Sequence, residues 1–146
     1  MKRFLAVETR TQAERTEQKA FGFSCMTELR LGNMQRLRWS DIKDTGVSIV
    51  QQKTERPVTV LLNELAISLF PPRPENGEDT IIFALVKKPD NVAKYVRRIK
   101  EKAGIEKDFT YHSSRHSVAT LAITVGTELY SVSKILGHGS IVSTLV

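Results

Sequence analysis

Two short β-strand patterns joined by a turn limit the possible folds of this chain more than any other feature. Residues 47–52 alternate in polarity and are rich in β-branched side chains, and residues 58–62 have the same character. Such runs are typical of strands. The residues between them, from Lys53 to Pro57, predict a turn. The sequence therefore predicts an antiparallel hairpin.

Most of the remaining chain is predicted to be helical. The segments with helical patterns are residues 11–29, 31–37, 64–70, 90–103, 112–125 and 130–136. Asn63 is placed to cap the third of these segments, and Gly104 to end the fourth. Residues 71–79 form a proline-rich loop, followed by a brief apolar element at residues 81–83. We predict a single α+β domain that is mainly helical, with a small antiparallel β-sheet on one side.

Length and composition are those of one soluble globular domain. The chain has 146 residues, of which 40% are hydrophobic and 26% charged. Its single cysteine, Cys25, excludes an internal disulfide and lies in an apolar run, so we expect a core residue. No stretch approaches the roughly 20 apolar residues of a membrane span. The first residues lack the pattern of a signal peptide, so a cytosolic location is expected.

The charge distribution predicts a polyanionic partner. The formal net charge is +6. Residues 87–107 hold eight lysines and arginines against three acids. The candidate DNA-binding residues in this stretch are Lys87, Lys88, Lys94, Arg97 and Arg98. Such a helix can lie against a phosphate backbone and add affinity without sequence choice. A solvated helix face is the alternative interpretation.

Five basic or histidine side chains stand at the ends of predicted elements. Arg30 closes the first long helix and Lys53 lies in the hairpin turn. His112 and Arg115 lie one helical turn apart, and His138 stands between two glycines. Arginine forks suit the non-bridging oxygens of a phosphodiester, and histidine can assist proton transfer. Taken singly, each has an ordinary alternative as a salt-bridge arginine, a packed histidine or an exposed hairpin lysine.

A histidine pair also raises the question of a metal. His112 and His116 are four residues apart, but Ser113 stands where the H-E-x-x-H zinc signature requires glutamate. Cys25 is remote in sequence. We therefore expect no metal, and a metal-dependent hydrolase is kept as a rival that insensitivity to chelators would remove.

Together the five side chains resemble the catalytic set of the tyrosine recombinase (phage-type integrase) family, from about Phe21 to the end of the chain. The segment around His138, Leu-Gly-His-Gly-Ser, looks like the family's Leu-Gly-His-x-Ser element. The resemblance implies that Arg30, His112, Arg115 and His138 hold the scissile phosphate. It also implies that Lys53 delivers a proton to the departing 5′-hydroxyl.

The resemblance implies site-specific DNA recombination without metal or cofactor. A tyrosine attacks the phosphodiester and forms a 3′-phosphotyrosyl intermediate, and this covalent link stores the bond energy. The expected partner is double-stranded DNA, bound by a homotetramer on paired sites and associated with the nucleoid.

The attacking tyrosine is not found where the family pattern predicts it. In the family it follows the last histidine by roughly nine residues, which from His138 falls just beyond Val146. Tyr95, Tyr111 and Tyr130 stand at positions that the family does not use. We expect residues 1–146 to be a recombinase catalytic domain that lacks the N-terminal DNA-clamping domain and ends just before the nucleophile. Truncation and a naturally inactive relative both fit this pattern.

Two further positions depart from the family. Glu28 stands where a glycine is usual, and Asn33 where an acidic residue is usual. A glutamate beside Arg30 could pair with it and weaken its pull on phosphate. These departures favour a rival, a non-catalytic DNA-binding module with a degenerate recombinase fold. A basic protein–protein interaction domain is the remaining alternative.

Overall fold

The computed structural model describes residues 1–44, 46–50, 55, 57–77, 79–106 and 110–111. Its helices are α1 Lys2–Leu5, α2 Gln12–Thr27, α3 Leu31–Met34, α4 Glu64–Ser68 and α5 Pro89–Lys102, and its strands are β1 Ile42–Lys43, β2 Gly46–Val50 and β3 Pro57–Leu61. A 3₁₀ turn, Trp39–Asp41, precedes β1. The predicted fold class, mainly helical with a small antiparallel sheet, is confirmed. The helices predicted at residues 112–125 and 130–136 lie outside the described residues.

The first long helix, α2, ends earlier than its sequence pattern predicts. Its N-terminus is capped by Thr11, whose Oγ1 accepts a hydrogen bond from the Glu14 N–H at 3.1 Å. At the other end Glu28 adopts a left-handed conformation, with φ 58°, and its N–H donates to the Ser24 carbonyl at 2.8 Å. This conformation stops the helix. The helix therefore ends at Thr27 and not at residue 29, and Leu29 and Arg30 lie beyond it.

The predicted hairpin is present and belongs to a three-stranded antiparallel sheet of order β1-β2-β3. Val47 of β2 pairs with Val60 of β3, and both side chains are buried. Pro57 is the first residue of β3 and pairs with Val50, so it is part of the strand and not of the turn. Strand β1 was not predicted, because two residues are too few to show an alternating pattern.

Helix α2 separates two groups of buried side chains. The sheet-side cluster consists of Ala20, Phe23, Leu29, Met34, Leu37, Trp39, Val47, Val60, Ala66, Leu69, Ile82 and Phe83. The α5-side cluster consists of Phe4, Phe21, Val92, Val96 and Ile99. The α5 members recur at helical spacing, which aligns one face of that helix with α2. Burying each such side chain stabilises the fold by about 1.5–3 kcal/mol.

The start of α4 and the end of α5 agree with the sequence, whereas α4 ends at Ser68, two residues before its predicted end. Asn63 caps α4, its Oδ1 accepting a hydrogen bond from the Ala66 N–H at 2.8 Å. Gly104 follows α5 with φ 62°, a conformation that glycine adopts without strain. Among the helices of the described residues, none has the length and apolar character needed to cross a membrane.

Candidate functional site

One of the predicted catalytic residues, Arg30, lies in the described part of the chain. Lys53, His112, Arg115 and His138 lie outside the described residues, and so does His116. The candidate DNA-binding residues Lys87, Lys88, Lys94, Arg97 and Arg98 are all described. The structure therefore locates Arg30, the residues that lead into the His112 segment, and the basic helix.

The backbone at Arg30 is fixed from both sides. Arg30 is extended, with φ −64° and ψ 152°, and occupies the N-cap position of α3. Its carbonyl accepts hydrogen bonds from the N–H groups of Asn33 and Met34, both at 2.9 Å. The preceding residue, Leu29, is buried, and its carbonyl accepts a hydrogen bond from Ser24 Oγ at 2.9 Å. The half-buried Arg30 thus begins α3 and does not close α2.

The turn before Arg30 contains a buried acid in a glycine-like conformation. Glu28 has φ 58° and ψ 17°, and its side chain is only 5% exposed. A residue with a side chain is strained in this region, whereas glycine is not. The glycine that the family resemblance predicts at this position would therefore adopt this backbone without strain.

A cleft connects the neighbours of Arg30 and His112. It has a volume of about 510 Å³. Leu31, next to Arg30, and Tyr111, next to His112, both line it, together with Arg97 and Lys100 of α5. Leu31 and Tyr111, which adjoin two of the predicted phosphate-binding residues, therefore line one cleft together with basic side chains of α5.

The side chain of Tyr111 is packed inside the protein. Its ring meets Phe21 edge-on at a centroid distance of 5.1 Å. Burial raises the pKa of Tyr111 well above its usual value of 10, and the nearby Glu17 and Cys25 raise it further. A tyrosine with a raised pKa is a poor nucleophile. This environment agrees with the expectation that Tyr111 does not attack DNA.

The cations of α5 divide between two flanks of the helix. Arg98 contacts the buried carboxylate of Glu14 at 3.2 Å, and Lys102 contacts its other oxygen at 3.4 Å. Arg97 lies on the cleft flank and makes no ion pair within the described residues. Lys94 is exposed on α5. Arg98 therefore has a structural role in joining α5 to α2, whereas the charge of Arg97 is available at the cleft.

Lys87 and Lys88 are exposed in the segment that enters α5. The carbonyl of Lys87 accepts a hydrogen bond from Gln35 Nε2 at 3.2 Å, and Gln35 Nε2 also donates to Val86 at 3.0 Å. Lys88 is the N-cap residue of α5. The backbone of this segment is thus tied to the end of α3, while both ammonium groups face outward.

Comparison with known proteins identifies the family. The model of the phage integrase family matches residues 1–146. The chain belongs to the phage integrase family. The integrase of Escherichia phage HK022 is 29% identical over 135 positions, covering 83% of this chain and 38% of that protein. Transposase A from transposon Tn554 of Staphylococcus aureus is 30% identical over 141 positions, covering 80% of this chain and 38% of that protein.

Tyrosine recombinase XerD of Listeria monocytogenes is 42% identical over a shorter stretch of 53 residues, 36% of this chain and 18% of that protein. This chain thus spans between 18% and 38% of the length of these three relatives.

Solved structures place the chain in the tyrosine recombinase fold. The XerH site-specific recombinase bound to difH substrate matches with a TM-score of 0.75 at 20% identity, over 98% of this chain and 47% of that one. A lambda integrase dimer bound to a COC′ core site matches with a TM-score of 0.69 at 21% identity, over 89% of this chain and 50% of that one. These matches confirm the fold predicted from the family resemblance.

Two buried acids of this chain, Glu14 and Glu17, were not predicted from the sequence. Glu14 accepts a hydrogen bond from the Arg10 N–H at 2.8 Å, and this bond, together with Arg98 and Lys102, lowers its pKa to about 2 despite burial. Glu17 is 1% exposed, and burial raises its pKa, although the Val86 N–H donates to Oε1 at 3.0 Å. Both lie on a polar stretch of α2, where an acid ordinarily faces solvent, so no local signal identifies them.

Proposed function

We propose that this chain is the catalytic domain of a tyrosine-type site-specific DNA recombinase. The proposal rests chiefly on the match of the phage integrase family model to all of residues 1–146. The fixed backbone at Arg30 and the basic wall of the adjoining cleft add support from the geometry. The transition state of phosphodiester cleavage is stabilised by cationic donors that are already held in place, because their electrostatic effect depends on preorganisation.

In the proposed reaction four side chains hold the scissile phosphate. These are Arg30, His112, Arg115 and His138, and Lys53 acts as the general acid. A tyrosine attacks phosphorus, its hydroxyl proton leaves, and the P–O bond to the 5′-oxygen breaks while Lys53 supplies a proton to that oxygen. The 3′-phosphotyrosyl bond is later broken by a 5′-hydroxyl of another strand. Each step exchanges one P–O bond for another, so no cofactor and no metal is required.

The nucleophile in this proposal is a tyrosine that residues 1–146 do not supply. Tyr111 is disfavoured by its burial and raised pKa. The relatives HK022 integrase and Tn554 transposase A extend well beyond the matched region, since this chain covers 38% of each. We infer that these 146 residues alone bind DNA without cleaving it. The longer protein is proposed to act as a homotetramer on paired sites.

The proposed DNA-binding surface includes the start and the cleft flank of α5. Lys87, Lys88 and Lys94 present exposed ammonium groups, and Arg97 adds a guanidinium at the cleft. These groups suit phosphate contacts, which supply affinity and not base readout. Arg98 contributes less in this proposal because its guanidinium already contacts Glu14.

A nicked suicide duplex tests the proposed function directly. This chain and the same protein extended to the stop codon of its gene are incubated with the duplex, and covalent adducts are sought on a denaturing gel. An adduct formed by the longer protein alone is the expected result. Arg115→Ala and Arg30→Lys should abolish or strongly reduce it, since lysine keeps the charge at Arg30 but loses the planar fork. Arg15→Lys, at an exposed position of α2, is the matched control.

The second candidate function is a non-catalytic DNA-binding module, favoured by the buried carboxylate of Glu28 two residues before Arg30. A negative charge at this point can offset the arginine's attraction for phosphate. DNA binding without an adduct in either length of protein would support this alternative. An adduct formed by the present chain itself would contradict the placement of the nucleophile.

A further inference from the structure

Tyr111 is the last described residue before the predicted active-site segment that begins at His112. Its ring meets that of Phe21 at a centroid distance of 5.1 Å and an interplanar angle of 88°. Edge-to-face pairs of this kind are favourable and depend on orientation. Tyr111 also packs against both the sheet-side cluster and the α5-side cluster. The chain is therefore anchored to α2 immediately before His112.

The same helix supports Arg30. Phe21 lies in α2, and the chain leaves α2 through the turn at Glu28 to reach Arg30. Leu31, the next residue, packs against the α5-side cluster and lines the same cleft as Tyr111. Phe21 of α2 and the α5-side cluster thus form a common support for Leu31 and Tyr111, the residues that adjoin Arg30 and His112.

This support matters because phosphate chemistry requires accurate placement. Adjacent Cα atoms are about 3.8 Å apart, so a shift of the Tyr111 backbone is passed on to His112. A displacement of about 1 Å in a catalytic group can reduce a rate by roughly 100-fold. Positioning by a packed side chain also avoids the freedom that a surface loop would leave.

We propose that Tyr111 is a positioning residue of the recombinase site, and that its ring, seated against Phe21, anchors the chain to α2 immediately before His112. This inference rests on the proposed function. The aromatic ring carries the effect, because the contact with Phe21 is made by the two rings. The hydroxyl group is not required for it.

The test compares variants that keep or remove this ring in the full-length protein. Tyr111→Phe keeps the ring, whereas Tyr111→Met and Tyr111→Leu keep an apolar side chain without it. Single-turnover cleavage of the nicked duplex, DNA affinity and the urea midpoint are measured for each variant. We expect Tyr111→Phe to cleave like the wild type. The Met and Leu variants should cleave roughly 10- to 100-fold more slowly, with unchanged DNA affinity.

Tyr95→Leu is the matched control, because Tyr95 is also a half-buried tyrosine but lines a separate pocket with Lys94 and Arg98. It should leave the cleavage rate unchanged. Wild-type cleavage by both ring-lacking variants would overturn the proposal. An equal loss in Tyr95→Leu, or a loss of DNA affinity parallel to the loss of rate, would also overturn it, because a general structural role would then suffice.

Amide hydrogen exchange at residues 112–116 separates this inference from the proposed function. Exchange there should become faster in Tyr111→Met and stay unchanged in Tyr111→Phe and Tyr95→Leu. Unchanged exchange in Tyr111→Met would overturn the positioning role even if the wild type cleaves DNA. If the wild type forms no adduct but exchange responds as expected, the anchoring stands and the recombinase function fails.

Discussion

Glu28 combines two properties that are unfavourable for a glutamate. Its backbone is left-handed, with φ 58°, and its carboxylate is buried in the turn that leads to Arg30. The left-handed helical conformation costs an L-residue with a side chain roughly 1–2 kcal/mol. The left-handed backbone of Glu28 therefore lowers the stability of the turn, and the same residue holds an acid beside the proposed phosphate site.

The backbone part of this cost can be measured with two substitutions that both remove the carboxylate. Glu28→Gly relieves the conformation and Glu28→Ala does not, so the glycine variant should have the larger free energy of unfolding, by about 1–2 kcal/mol. Urea denaturation of both variants measures the difference.

Lys94, an exposed position inside α5, serves as the control. There the alanine variant should have the larger free energy of unfolding, because alanine stabilises a helix by about 1 kcal/mol relative to glycine. Equal stability of Glu28→Gly and Glu28→Ala would contradict the assigned conformation at residue 28.

For individual residues, what a single sequence reveals depends on whether the signal is local. Asn63 was recognisable as a helix cap because a cap acts on backbone groups within three residues. Arg30 was recognisable by its type and place in the family pattern. The burial of Glu14 was not, because it depends on Arg98 and Lys102, more than 80 residues away in the chain.

At the scale of elements, periodicity predicted the hairpin and the basic helix well. It overextended α2, because the chain has a glutamate where the left-handed turn would ordinarily show a glycine. It missed β1, which is too short to carry a pattern. The cleft beside Arg30 could not be predicted, because it arises from the packing of α5 against segments far away in sequence.

The contact between α2 and α5 should be sensitive to acid. Glu14 has a pKa of about 2 in the folded protein, against an ordinary value of 4.5, because the Arg10 N–H, Arg98 and Lys102 stabilise its charged form. A lowered pKa stabilises the fold fully above the unfolded value. This contribution is lost as the pH falls from about 4.5 to about 2.

Urea midpoints of the wild type should therefore fall across this acidic range, and those of Glu14→Gln should fall less. Arg98→Ala should reduce the midpoint near neutral pH, whereas Arg97→Ala, on the other flank of α5, should leave it unchanged. Glu17 acts with the opposite sign, since a raised pKa destabilises the fold as the pH rises above about 4.5. The two acids therefore change the stability of the fold in different pH ranges. If the urea midpoint of Glu14→Gln depended on acid as that of the wild type does, the role of this contact would be contradicted.

For the whole molecule, the two flanks of α5 separate charge that holds the fold together from charge that is available to a polyanion. The net charge of +6 does not by itself distinguish these uses. The contacts do, because Arg98 is engaged by Glu14 whereas Arg97 lies at the cleft. The proposed function thus predicts different behaviour for two adjacent arginines of the same helix.

The dependence of DNA affinity on salt measures this difference. Each phosphate contact changes the slope of log K against log salt concentration by about 0.9. Arg97→Ala should weaken binding to any duplex sequence and reduce the slope by about one contact, while Arg98→Ala should mainly lower stability and leave the slope nearly unchanged. The proposal requires a steep slope for the wild type, because a DNA affinity that does not change with salt concentration would exclude phosphate contacts. Equal slopes for the two variants would show instead that both flanks of α5 meet DNA, and that the pairing of Arg98 with Glu14 gives way when DNA binds.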